Sequence, residues 1–362
     1  VATLIAAASA ANSPAFIEAD MIRRALFVMI VMACAAGAAS AQENVPILSG
    51  GMGVLGESDG GSPSAQPVIA PVLTIPIGSK WLIESRADIR GFVSRSDGNT
   101  GPLEGTSSTT LEYAQVDYNA ASWLTVTAGR ILTPFGIYNE RISAIWINKF
   151  ESAPLIYPIG TARGYLDGIM TRGSVFSTPN YSINYIAYAS TLSTVSNLES
   201  QRTAGSRIGV FFPKLRLEIG SSYQKLLQGN RTNSQGVDIS WEPGRVPLDF
   251  KAEWAHSPSG QGYWFQTAYR LSQFKGPDSF VGRFEPVFRM QQFLRGQAVS
   301  GDELPANGAQ EADFGLNFYA PHSVRLHASY GRQFTPTLNL NVWEFGITYR
   351  FLFPMWPAGG VK

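Results

Sequence analysis

The sequence predicts an all-β chain closed into a transmembrane antiparallel β-barrel of about sixteen strands, with fourteen and eighteen as the neighbouring even counts. Three observations predict it. Apolar and charged side chains alternate with a period of two across residues 81–351, an export signal precedes them, and no later apolar run is long enough for a spanning helix. In Trp81-Leu82-Ile83-Glu84-Ser85-Arg86-Ala87-Asp88-Ile89-Arg90 the even positions from 84 are Glu, Arg, Asp and Arg, while the odd positions are Trp, Ile, Ser, Ala and Ile. Successive side chains of a strand point to opposite faces, so this segment has one apolar wall and one charged wall. The same split recurs at 215–224, 237–242, 248–254, 324–331 and 343–351. A soluble sandwich alternates as well, and the export signal decides between lipid and a partner sheet as the medium facing the apolar wall.

That signal lies at 21–41. Met21-Ile22-Arg23-Arg24 is a short basic start, and Ala39-Ser40-Ala41 is a small-x-small cleavage site ahead of Gln42. Between them runs a small and apolar stretch of roughly fifteen residues, the order of a secretory signal peptide and shorter than the ~20 residues of a spanning helix. Cleavage is therefore expected between Ala41 and Gln42. Residues 1–20 read as an upstream extension from a misplaced start. Cys34, the single cysteine, lies inside the apolar run, so the mature chain has neither a disulfide nor a thiolate metal site. Lipid attachment at Cys34, after Val31-Met32-Ala33, is the alternative reading of the same stretch.

Arg23, Arg24, Glu18 and Asp20 precede the cleavage point, leaving 26 basic and 25 acidic residues of the 28 and 27 in the whole chain. This balance gives no basic footprint for a nucleic-acid partner. Only 44% of residues are hydrophobic, too few for a bundle of spanning helices and suited to a barrel, half of whose side chains face water.

The Gly-, Ser- and Pro-rich segment 42–66 reads as a periplasmic arm with one short strand near 46–55. Residues 67–353 read as the barrel, in segments of about 9–12 residues. Turn clusters such as Asp97-Gly98-Asn99, Glu242-Pro243-Gly244 and Pro258-Ser259-Gly260 separate them. Residues 354–362 read as a C-terminal extension. One interruption, 137–163, is far longer than a hairpin turn and rich in Ile, Trp, Phe, Tyr and Pro, a composition that suits a packed functional loop. Folded inward it would narrow a channel; an outer-surface loop or a subunit latch are the alternatives.

Parity places Glu84, Arg86, Asp88, Arg90, Arg216, Glu218, Asp238, Lys251, Glu253, Arg325, Glu344 and Arg350 on the water-facing wall. So many charges require a wet interior. They either set ion preference or pair across neighbouring strands. The constriction is expected to combine Glu140, Arg141, Lys149, Glu151 and Arg163 of the long loop with Arg86 and Arg90 of the wall, and Arg216, Arg325 and Arg350 are expected to line the pore. The imidazoles are His256, His322 and His327. His256 beside Ser257 could serve a barrel-type hydrolase, but nearness in sequence is weak warrant for a dyad, and a turn residue is the plainer reading. No spacing suits a metal or a cofactor, and none is expected.

Gly129-Arg130-Ile131-Leu132-Thr133-Pro134-Phe135-Gly136 resembles an element of the porin O and P family, the phosphate-selective porins. Further similarity lies in Gly262-Tyr263-Trp264-Phe265-Gln266-Thr267-Ala268-Tyr269-Arg270-Leu271, Phe284-Glu285-Pro286-Val287-Phe288-Arg289 and Gly315-Leu316-Asn317-Phe318-Tyr319. The resemblance implies a sixteen-stranded, trimeric outer-membrane channel for small anions or other solutes. The chain departs from that family's dense basic ladder, having seven lysines scattered singly, and 352–362 follow the aromatic end Tyr349-Arg350-Phe351. The expected function is passive diffusion of small solutes through the outer membrane, with modest selectivity. The expected partners are outer-membrane lipid and lipopolysaccharide, the barrel-assembly machinery and like subunits. A barrel hydrolase and a closed structural or adhesion barrel are the rival readings.

Overall fold

The computed structural model describes residues 45–96, 101–161, 164–193, 200–229, 231–299 and 302–355. The upstream extension, the signal segment, the cleavage pair Ala41 and Gln42, Arg163, and all but the first two residues of the C-terminal extension lie outside them. Sixteen strands form one closed antiparallel barrel in which each strand pairs with its neighbours in sequence. Strands β1 (Ile47–Asp59), β2 (Ser62–Ile77), β3 (Trp81–Arg95) and β4 (Leu103–Ala121) lead to β5 (Leu124–Leu132) and β6 (Tyr165–Ser177). Then come β7 (Ser182–Ser190), β8 (Thr203–Phe212), β9 (Leu217–Leu226), β10 (Asn233–Trp241) and β11 (Leu248–Ser257). The circuit ends with β12 (Gly260–Tyr269), β13 (Phe284–Arg295), β14 (Ala309–Ala320), β15 (Val324–Phe334) and β16 (Asn339–Pro354). Closure is the register of β1 on β16, from Ile47 opposite Pro354 to Asp59 opposite Val342. A closed ladder satisfies the backbone of every strand without an edge, the condition for crossing lipid with strands. No helix among the described residues is long and apolar enough to span a membrane.

The segment expected as an arm, 42–66, instead supplies all of β1 and the start of β2. Its glycines read as loop text, yet they give close approach rather than flexibility. A Cβ on Gly51 would come within 2.7 Å of the Trp146 ring and 3.1 Å of Ile145, and one on Gly53 would strike the Ile347 carbonyl. Small residues here let the long loop lie against the wall. This strand is the one missing from a barrel begun at residue 67.

The alternation resolves as the sequence predicts. Ile219, Val237, Trp254, Phe314, Leu326 and Phe345 stand on the outer wall, exposed. Asp238, Glu253, Arg289, Asn317 and Glu344 point inward and are buried. Arginine substituted for Ile239, on the outer parity of β10, is expected to cost roughly 2–4 kcal/mol if that position lies near mid-bilayer, and the cost falls off toward the rims. Leu217, beside Trp241 at the end of the strand pair, should therefore tolerate arginine better. Ser240→Arg, on the inner parity, should be mild. Urea titration of refolding into bilayers measures all three, and equal costs at both parities would refute the face assignment.

The connections differ between the two rims. On the rim where β1 begins and β16 ends, the rim of the described chain ends, they are short (78–80, 122–123, 178–181, 213–216, 242–247 and 321–323), apart from 270–283, which contains the helical turn α1 (Ser272–Lys275). The opposite rim carries the longer connections 133–164, 191–202 and 296–308.

Candidate channel constriction

The long connection turns inward at its first residues. Pro134 ends β5, and Gly136 adopts φ +66°, where a Cβ would collide with the Glu253 carboxylate. The freed amides are satisfied by the far wall: Gly136 N–H donates to Ser222 Oγ at 3.1 Å and Ile137 N–H to Glu253 Oε2 at 3.1 Å. Phe135, Ile137, Tyr138, Ile142, Ile156 and Ile159 pack with wall residues Ala255, Trp264 and Phe293 into a buried apolar cluster. Each fully buried Phe or Ile contributes roughly 1.5–3 kcal/mol, so the docked loop is a stable structure. Its first turn is π-helical, Tyr138–Ile142. Asn139 closes the base of the loop, its Nδ2 donating to the carbonyls of Thr133 at 3.0 Å and Gly164 at 2.6 Å. The Thr-Pro-Phe-Gly element is therefore the hinge that sends the loop across the lumen.

Wall side chains then pin the loop. Arg325 donates to the carbonyls of Asn148 and, at 2.8 Å, Ile145. Glu344 accepts the amides of Glu151 at 3.2 Å and Ser152 at 2.8 Å. Arg289 donates to Ser152 O at 2.8 Å and Oγ at 2.6 Å, and Gln291 accepts the Leu155 amide at 2.8 Å. These partners span β13, β15 and β16, while Ile145 and Trp146 pack against Leu55, Val68 and Ala70 of β1 and β2. The loop thus fills the side of the lumen bounded by β10–β16 and β1–β2.

On the other side a polar cavity of ≈ 490 Å³ remains between the loop and strands β3–β8. Its charged lining is Glu84, Glu140, Arg141, Arg172 and Arg207. Arg141 is 42% exposed and forms a two-point pair with Glu218, at 2.7 and 3.0 Å. Arg172 is 38% exposed and only loosely paired, its Nη1 lying 3.7 Å from Glu140 Oε1. Arg207 is buried against Asp238 and Glu218. Burial lifts the Glu140 carboxyl above its ordinary range, while Arg172, Arg141 and Arg207 pull it down.

The residues expected at one constriction are distributed. Glu140 and Arg141 do face the remaining opening. Arg86 lies beside the loop but is committed to Glu112, the Tyr113 ring and Ser143 Oγ. Arg90 is held by Asp88 and Gln66. Lys149 is bound by Glu285 and Tyr319 on the opposite wall. Arg325 lines the lumen as an anchor of the loop rather than as a free charge. Arg216 is not lumenal: it sits in the β8–β9 turn at φ +51°, where strand parity has no meaning. Arg350 is exposed near the rim of the chain ends, its amide donating to the turn at Ser323. Sequence reasoning passed over Arg172 and Arg207, although both alternate with apolar residues in their strands. It also missed the anchoring set Ser222, Glu285, Arg289 and Gln291. His256 is on the outer wall, stacked on Trp254 at 6.3 Å between ring centres, while the adjacent Ser257 Oγ is taken up by its own turn, accepting from Ser259 N–H at 3.2 Å and meeting Gly260 O at 3.5 Å.

Glu151 is expected to make the docked loop sensitive to pH. Burial lifts its carboxyl to about 7; Arg325 opposes the rise, Glu344 adds to it, and Arg90 opposes it. A carboxyl raised on docking favours the docked state fully below its ordinary value of 4.5, and that contribution is lost as pH rises through about 7. Protection of the loop from protease is therefore expected to fall between pH 5 and 8, and Glu151→Gln should flatten the dependence. A wild-type profile that is already flat would contradict this.

No protein-family model and no curated protein matches this chain. Solved structures do. OmpF of Salmonella typhi, in complex with daunomycin, aligns with TM-score 0.58 and 14% identity, over 86% of this chain and 99% of that one. OprB of Pseudomonas putida aligns at 0.55 and 10%, over 85% and 93%. The anion-selective porin from Comamonas acidovorans aligns at 0.51 and 10%, over 84% and 99%. The fold is that of the porins. At such identities the likeness carries the architecture, and function must be argued from the site.

Proposed function

We propose that this chain is a passive diffusion channel of the outer membrane of a diderm bacterium, exported by the segment 21–41 and mature from Gln42. One observation carries the reading: a closed barrel whose inward loop leaves a polar, charge-lined opening instead of a sealed core. Solutes would pass between the loop and the wall at Arg141 and Arg172, driven by their own gradient. Short turns face the periplasm in barrels of this kind, which puts the longer connections outside. Lipid, lipopolysaccharide and like subunits in a trimer would cover the outer wall.

Selectivity is expected to be mild and toward anions. Three arginines line the opening against two glutamates, but Glu218 and Asp238, paired with Arg141 and Arg207, offset that excess, so the preference rests on the loosely paired Arg172. Phosphate recognition needs several basic groups converging without competing acids. The resemblance to the porin O and P family is thus retained for architecture and loosened for substrate. Single-channel recording in a planar bilayer under a potassium chloride gradient tests both points. Open steps with a small anion-favouring reversal potential, unaltered by millimolar phosphate, are expected. A barrel that never conducts would refute the channel, and phosphate block of chloride current would restore phosphate selectivity.

A further inference from the structure

Three connections on the rim of the chain ends are tied into one surface. Trp241 Nε1 donates to Leu215 O at 3.1 Å, and the Glu242 amide donates to Arg216 O at 3.1 Å, joining the β8–β9 turn to the β10–β11 turn. Gln273 Nε2 donates to Arg245 O at 2.6 Å and Gln273 Oε1 accepts from Tyr269 Oη at 2.8 Å, which joins the 270–283 connection to the same turn. The surface so formed presents Lys214, Arg216, Arg245 and Lys275, all exposed, and none has an acidic partner among the described residues. Of the nearby acids, Glu242 is engaged by Lys251 at 3.2 Å, and Asp278 is exposed in the longest of the three connections.

Between these cations stand large apolar side chains in the open. Leu215 is 57% exposed between Lys214 and Arg216, Val246 is 40% exposed beside Arg245, and Phe274 is 69% exposed beside Lys275. A soluble anion or polyanion would leave these apolar groups unused. An amphiphile with an anionic head uses both, its phosphate meeting the cations while the apolar side chains dip toward the acyl boundary. The patch also continues directly from the apolar outer wall, where Phe250 and Phe265 stack at 6.5 Å.

We propose that the turns 213–216, 242–247 and 270–283 form a binding site for the headgroups of acidic phospholipids in the leaflet at that rim. The site rests on the membrane reading above and is independent of conduction. Its ligand class is a phosphodiester lipid of net negative charge. Such a site would fix the tilt and depth of the barrel on one side, because the cations and the apolar side chains cannot both be satisfied at another depth.

The test uses the full mature chain in neutral detergent, titrated with phosphatidylglycerol or phosphatidylcholine and read by native mass spectrometry of retained lipid. Phosphatidylglycerol is expected to bind at least tenfold more tightly, since each basic residue near an acidic bilayer surface contributes on the order of fivefold. The variant combining Lys214→Gln, Arg216→Gln, Arg245→Gln and Lys275→Gln should lose that preference. Phe274→Ser should weaken retention of both lipids. The control Arg202→Gln with Arg231→Gln, on the opposite rim, should change nothing. Equal binding of the two lipids by the wild type would overturn the proposal, as would a preference that survives in the fourfold variant. Displacement of phosphatidylglycerol by equimolar inorganic phosphate, with Phe274→Ser silent, would reduce the patch to a bare anion site and also overturn it. Heat-modifiable migration and conductance of each variant keep the readings apart. A folded, non-conducting protein that still prefers phosphatidylglycerol refutes the channel and leaves the lipid site standing.

Discussion

Replacing residues 137–160 with a short Gly-Ser hairpin is expected to raise single-channel conductance several-fold. The loop carries the buried cluster around Phe135 and Ile137 and lies across one side of the lumen, from the wall at Trp264 and Phe293 to that at Leu55 and Val68. Its removal exposes Glu253, Arg289, Arg325 and Glu344, which already point inward and would be rehydrated rather than stranded. The outer wall and the closed ladder are untouched, so the product should still resist detergent until heated. Resistance should nevertheless drop, because several fully buried Ile and Phe side chains go with the loop, at roughly 1.5–3 kcal/mol apiece. A heat-modifiable deletion with unaltered conductance would show that the loop does not limit flow.

The barrel was legible in the sequence because its two walls meet different media, and period-two alternation is the direct record of that difference. Strand β1 was hidden for a physical reason. Its inner parity has Gly51 and Gly53 where the loop and the neighbouring strand press close, and its charges, Glu57 and Asp59, come only at the far end, so the alternation that marked the other strands is missing from its middle. The loop's inward course was suggested by its apolar text, but its partners were not. Lys149 meets Glu285, 136 residues away, and Arg325 reaches Ile145, 180 residues away. Pairings at such separations depend on barrel closure and register, which parity along a single strand does not encode. Parity also failed at Arg216, where the strand had already ended. The wall charges proved to be of three kinds, those that hold the loop, those paired along the wall such as Arg90 with Asp88, and those left to face the opening. Parity along the chain named part of the set, without Arg172, Arg207, Glu285 or Arg289, and could not divide it.

If the chain is the mildly anion-favouring channel proposed above, Arg172→Glu is expected to turn its preference toward cations. Arg172 projects from β6 into the opening, is 38% exposed, and meets Glu140 only at 3.7 Å, so its field reaches the solute path less neutralised than that of Arg141 or Arg207. The exchange alters local charge by two units. At ~5 Å in water-like surroundings each unit is worth close to about 1 kcal/mol, and salt reduces it further, so a several-fold change in the permeability ratio at low salt is the realistic scale. The shift should shrink in molar potassium chloride. Arg350→Glu, at the exposed rim, should move the reversal potential little and serves as the control. The new carboxylate would also face Glu140, which burial already lifts above its ordinary range and which Arg172 now helps to pull down. Loss of that cation lifts Glu140 further, so acidification should protonate it first and undo part of the cation preference. Reversal potentials measured across a pH series report both effects. An Arg172→Glu channel with wild-type selectivity at every pH would place the solute path elsewhere than between the loop and β6.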